Sequence, residues 1–230
     1  MQLKEIEKLA ASVMEKAVDA KEVAGVNLLV LKDKAPELSL QAGYADLENK
    51  VLMADDTIMR LYSMSKPITA ACMMILMQRG LVDLNDPVSK FIPAFANQTY
   101  VNGNALSLVQ RPMTVHDLLF MTSGLSYGSD SAAGKATSDL FAEMDARLST
   151  KDAMTTREFA DRVGKNPLEF EPSSNFMYGI SADILGALIE VISGMSFAEF
   201  LKKEITDPLE MPDTGFFVPA QKQSRLSKVY

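Results

Sequence analysis

The sequence predicts an α+β protein, with an antiparallel sheet near the amino terminus flanked by helices and a mainly helical region after it. Three observations carry this: a helical apolar stripe from Leu3 to Val18, two short apolar runs between Gly25 and Tyr44, and helical spacing that dominates from Leu61 onward. In the first segment Leu3, Ile6, Leu9, Ala10, Val13, Met14 and Ala17 recur at three- and four-residue spacing, which makes one face of an amphipathic helix. Gly25–Leu31 and Leu38–Tyr44 are separated by the turn-prone Lys32–Glu37 and predict an antiparallel pair. Two strands alone are marginal, so either helices cover them or further strands of the sheet lie outside this chain. Leu61–Leu81 reads as a strongly apolar helix closed by Gly80, and Val82–Pro93 as a loop with a short helical turn. Asn97–Asn104 reads as an exposed excursion, and Thr114–Phe120 as a short helix with Thr114 at the N-cap and Asp117 at N3. Ser123–Ser138 has the Ser, Gly, Asp and Ala composition of a loop and is a candidate active-site rim. Thr155–Val163, Ile180–Ile192 and Ser196–Ile205 complete the expected helices.

The 230 residues suffice for one large domain or two small ones and bury about 70–75% of the unfolded surface. Twenty-three Lys and Arg against 30 Asp and Glu leave a formal charge of -7, which offers no footprint for a nucleic-acid backbone or an anionic membrane. One cysteine, Cys72, and one histidine, His116, exclude an internal disulfide and a Cys- or His-based metal centre, and no cofactor is implied. The amino terminus alternates charged and apolar residues and lacks the basic-then-apolar order of a secretory signal, which predicts a cytoplasmic protein. The longest apolar runs, Val26–Leu31 and Ala70–Met77, fall far short of the ~20 residues that span a bilayer.

Ser63 and Lys66 stand three apart at the start of the long apolar helix, so their side chains share a face. A serine hydroxyl becomes a nucleophile when a base takes its proton, and a lysine is such a base where burial and a helix N-terminus disfavour its charge. Pro67 suits a first helical turn, with the helix dipole aimed at a developing oxyanion. The same pattern alone fits Ser63 or Ser65 as the N-cap of a core helix. Gly124-Leu-Ser-Tyr-Gly128 matches G-x-S-x-G, but that motif needs a strand before the serine, a helix after it and a later histidine. None is present, so Ser126 reads as a rim residue and His116 as packed or surface-exposed.

Arg60-Leu-Tyr-Ser-Met-Ser-Lys-Pro-Ile-Thr69 resembles the nucleophile segment of the serine hydrolases that include class C β-lactamases, DD-peptidases and family VIII carboxylesterases. The likeness continues, in that family's order, through Gly80–Val88, Met113–Leu125, Tyr178–Gly186 and Pro208–Phe216. The resemblance implies a β-lactamase/transpeptidase-like fold divided into 1–60 (amino-terminal helix and strands), 61–205 (mainly helical, carrying the nucleophile) and 206–230 (a return segment). It implies Ser63 as the acylated nucleophile, Lys66 as its proton partner and Tyr178 as the second base, with Tyr127, Ser126 and Ile180 facing a small-molecule ester or β-lactam substrate. Many relatives carry Asn or Ser where this chain has Ile180, which removes a polar group suited to a β-lactam side chain and favours an esterase. Tyr100, in a Tyr-x-Asn, and Tyr127, in a Tyr-x-Ser, are rival placements of the base that the flanking sequence does not favour. The resemblance also implies carboxyl-terminal strands and a Lys-Thr-Gly or equivalent motif that this sequence lacks, and hence an open sheet edge covered by self-association or a complementing chain.

Overall fold

The computed structural model describes residues 3–230. It divides into two compact units, one formed by the residues up to Tyr62 with Phe216–Tyr230, the other by Ser63–Gly215.

The first unit opens with helix α1 (Leu3–Asp19), followed by strands β1 (Gly25–Lys32), β2 (Ala35–Asp46) and β3 (Val51–Leu52) in an antiparallel sheet of order β1-β2-β3. The expected turn over Lys32–Glu37 is tighter than its composition suggests. Only Asp33 and Lys34 leave the strands, both with positive φ (51° and 67°), as a two-residue hairpin requires to follow the sheet twist. Pro36 stays within β2 because the register slips beside it: Leu31 pairs with Pro36 and Val30 with Leu38, leaving Glu37 as the extra residue of a bulge, where a missing N–H is tolerated. The returning segment lies along this unit, with Ile58 N–H donating to Arg225 O (2.8 Å), Ser227 N–H to Ile58 O (2.9 Å) and Lys228 N–H to Ala45 O (2.9 Å).

The second unit is helical: α2 (Ser65–Gln78), α3 (Val115–Leu119), α4 (Ala132–Arg147), α5 (Thr156–Val163), α6 (Ser181–Ser193) and α7 (Phe197–Leu201), which continues into a π-helical turn, Lys202–Thr206. Helix α6 is apolar nearly all round and fills the centre, packing against α2, α3, α5 and α7 with Ile184, Ala187, Leu188 and Ile189 fully buried. Helix α2 ends where Gly80 predicts. Gly80 N–H donates to Met77 O (2.9 Å) and Leu81 N–H to Leu76 O (3.1 Å), the paired bonds of a left-handed C-terminal cap, and Gly80 has φ +70°. Cys72 on α2 has no exposed surface, and burial pushes its thiol up to about 11.

Two expectations are corrected here. The excursion at Asn97–Asn104 is the first half of a hairpin, β4 (Thr99–Asn102) with β5 (Ala105–Leu108), turning at Gly103 and Asn104. The loop expected over Ser123–Ser138 ends at Ser131, whose hydroxyl accepts from Gly134 N–H (2.9 Å) and caps α4. Helix α4 escapes the apolar-period reading because its buried stripe is made largely of Ala133, Gly134 and Thr137. Among the described residues no single helix is long and apolar enough to cross a membrane.

Candidate active site

Ser63 lies in a single 3-10 turn, Tyr62–Met64, that runs directly into α2. The preceding Tyr62 has φ +47°, a left-handed backbone that costs a bulky residue about 1–3 kcal/mol and marks a turn fixed by its surroundings. Ser63 is exposed there, and Lys66 in the first turn of α2 reaches back to it, Nζ donating to Ser63 Oγ at 3.2 Å. From the other side the Tyr178 hydroxyl donates to the same oxygen at 2.6 Å. The structure therefore brings together the three residues that sequence and resemblance single out.

It adds a fourth. Lys66 Nζ also donates to the Tyr127 hydroxyl at 3.0 Å, and the Tyr127 and Tyr178 rings lie 5.9 Å apart, tilted by 49°. The ammonium stands 4.7 Å from the Tyr178 ring centroid and 5.7 Å from that of Tyr127, within range of both ring faces. Tyr127, one of the rival placements of the base, thus shares the site with Tyr178, whereas Tyr100 lies in β4 against Leu168. One close approach holds the phenols together. A Cβ at Gly179, next to Tyr178, would lie 2.0 Å from Leu125 O and 3.0 Å from Ser126 Cα, so the chain after Tyr178 nests against the chain before Tyr127.

The electrostatics set Lys66 and Tyr178 in opposite directions. Desolvation disfavours the Lys66 ammonium, but its bonds to the Tyr178 and Tyr127 phenols outweigh that, and the lysine is held above its ordinary range. Tyr178 moves the other way: the neighbouring Lys66 ammonium, and then the Ser63 hydroxyl, lower its phenol below the usual tyrosine value. The balance favours the charged form of Lys66, and the group it makes easier to ionise is the tyrosine.

Two residues expected to face substrate do not. Ile180 is fully buried in the helical core at the start of α6, because it continues that helix's apolar face. Ser126 is buried and donates to Glu169 Oε1 at 2.9 Å, as befits a small hydroxyl at the base of a loop. His116 stacks on Phe120 (4.3 Å between centroids, 13°) on the short α3. Sequence reasoning passed over Asp117 as more than a cap. Its side chain is wholly buried and accepts from Arg111, Thr114 N–H and Oγ1, Thr122 Oγ1 and Ser173 Oγ, tying α3 to the segment that leads into Tyr178. The Arg111 and Thr114 donors outweigh its desolvation and keep its carboxyl below the usual range.

The chain is 30% identical over 210 residues to esterase EstB of Burkholderia gladioli, covering 89% of this chain and 50% of that protein. Among solved structures it superposes on EstCE1, described as a hydrolase with promiscuous acyltransferase activity, with a TM-score of 0.80, 28% identity, and coverage of 97% of this chain and 56% of that one. It shares its fold with the octameric penicillin-binding protein homologue from Pyrococcus abyssi (TM-score 0.69, 24% identity, covering 99% and 47%). The chain spans about half the length of EstB. Residues 10–230 match the family described as Beta-lactamase, and the chain belongs to that family.

Proposed function

We propose that this chain carries a serine acyl-transfer site that forms an ester on Ser63, with hydrolysis of small carboxylic esters as its reaction. The observation that supports this best is the pair of bonds on Ser63 Oγ, from Lys66 at 3.2 Å and Tyr178 at 2.6 Å. In the resting site the phenol donates to the serine, so Tyr178 must first lose its own proton to solvent, which the Lys66 cation favours. The phenolate then takes the hydroxyl proton as Ser63 Oγ attacks the ester carbonyl. Collapse of the tetrahedral intermediate breaks the bond to the alcohol, which leaves with the proton that Tyr178 returns. Water then gives a proton to the same phenolate and attacks the acyl-serine; the acyl–Oγ bond breaks as Tyr178 returns that proton to Ser63 Oγ, and the acid leaves. The rate of acylation rises with pH through the lowered Tyr178 value and falls past the raised Lys66 value. An ester is preferred over a β-lactam because the third residue of the Tyr178 motif is the apolar, buried Ile180.

Intact mass after exposure to a fluorophosphonate tests this. One adduct on the native chain and none on Ser63→Ala supports an activated Ser63, whereas no adduct on the native chain overturns it. Tyr178→Phe is expected to slow the adduct at least ~100-fold, the usual worth of a proton-transfer group.

A second reading is favoured by the apolar surface of the sheet unit, where Leu29, Leu31, Leu52, Phe216 and Phe217 are exposed. Here Ser63 is acylated, but turnover awaits a complementing segment or a second copy of the chain. Repeated turnover of a p-nitrophenyl ester by a chain that light scattering finds monomeric counts against this reading, and a single burst per chain supports it.

A further inference from the structure

Glu169 belongs to no helix or strand, yet its carboxylate collects three hydroxyls from one short loop. Ser126 Oγ donates to Oε1 at 2.9 Å, Ser129 Oγ to Oε1 at 2.7 Å and Ser131 Oγ to Oε2 at 2.7 Å, while the Glu169 N–H donates to Gly124 O at 2.9 Å. Ser131 is also the cap of α4, so the clamp reaches from the start of the loop to a helix end. Tyr127 lies between the first two anchors. Residues 127–130 are all exposed, so apart from the contact of the Tyr127 and Tyr178 rings the aim of this stretch depends on polar bonds. A carboxylate has only acceptor sites and suits three converging hydroxyl donors; an amide of the same shape replaces half of them with donors.

We propose that Glu169 is a positioning residue of the site: by clamping 126–131 through three serine hydroxyls, it holds the Tyr127 phenol 3.0 Å from the Lys66 ammonium. The inference rests on the Ser63–Lys66–Tyr178 reading above. With the clamp released, Tyr127 drifts from Lys66, and the lysine loses one of the two phenol bonds that favour its charged form. Misplacement of this order slows a reaction by about tenfold to a hundredfold. It also moves the alkaline limb of the pH profile to lower pH, because Lys66 then gives up its proton sooner.

The experiment follows the rate of fluorophosphonate adduct formation across pH for the native chain, Glu169→Ala, Glu169→Gln, Tyr127→Phe and the double variant Glu169→Ala with Tyr127→Phe. Expected are slower adduct formation and a lowered alkaline limb in each single variant, with the double variant no slower than Tyr127→Phe alone, since Glu169 acts through Tyr127. A residue that merely supported the fold would leave the limb where it is. An unshifted limb in Glu169→Ala and Glu169→Gln, or losses that multiply in the double variant, overturns the proposal. If the native chain takes no adduct, the acyl-transfer reading falls, and Glu169 is judged separately by amide hydrogen exchange. Exchange at 127–130 about tenfold or more faster in Glu169→Gln, with α6 unchanged, supports the clamp; unchanged exchange overturns it.

Discussion

The two units spend similar apolar sequence on different ends. In the helical unit, Ser63–Gly215, residues from α2, α3, α5, α6 and α7 close on one another in a single buried cluster. Among the described residues of the sheet unit only Met14, Leu38, Ala45 and Ile58 are buried apolar residues, while the amphipathic stripe of α1 leaves Leu9 58% and Val13 59% exposed. A helix such as α6, apolar all round, can be enclosed by neighbours on every side; a three-stranded sheet has two faces and two edges, and one helix covers at most one of them. Burial therefore follows the number of neighbours available more than the hydrophobicity of the segment. All four side chains gathered at the candidate site, Ser63, Lys66, Tyr127 and Tyr178, belong to the well-packed unit. Positioning to tenths of an ångström needs such a scaffold.

The contrast is sharpest for buried groups of the helical unit. Asp117→Ala, which strands the donors of Thr114, Thr122 and Ser173 together with Arg111, should cost about 3–5 kcal/mol in urea unfolding. A loss under 1 kcal/mol would show that water replaces the carboxylate. Because its folded value is lowered, Asp117 contributes stability above the unfolded carboxylate value, near ~3.9, and that contribution is lost as pH falls through the folded value. Acid destabilisation should accordingly be weaker in Asp117→Asn than in the native chain, as melting against pH will register. Leu188→Ala, at the centre of α6, should cost about 2–5 kcal/mol. Its counterpart Leu29→Ala, in a strand residue 55% exposed, should stay within ~0.5 kcal/mol; equal losses at the two sites would break the comparison.

Where one residue decides a structure locally, the sequence was readable. The stripe of α1, the stop at Gly80 and the capping pair Thr114 and Asp117 all depend on neighbours within a turn or two. Ser63 and Lys66 were readable for the same reason, three apart on one face. What escaped depends on distant partners. The β4–β5 hairpin is half-buried along β4, largely exposed along β5 and Asn/Gly-rich at its turn, so its composition is that of a loop until the pairing is known. Helix α4 buries mostly small side chains and shows little apolar period. Tyr127 lies 61 residues from Lys66, and its flanks give no sign of the contact. The charge of Lys66 also depends on distant partners, because burial and helix dipole argue for a neutral amine and only the two phenols reverse the sign.

The lone Cys72 has a use outside any chemistry of the site. Its thiol is wholly enclosed by α2 and its neighbours, and burial raises its pKa to about 11, so in the folded state it is both unreachable and protonated, while the reactive form is the thiolate. A disulfide reagent at neutral pH will consume it only in molecules whose helical unit has opened. The labelling rate, divided by that of an unfolded thiol, is then a direct gauge of how often this unit opens, written into the natural sequence and readable without a single substitution.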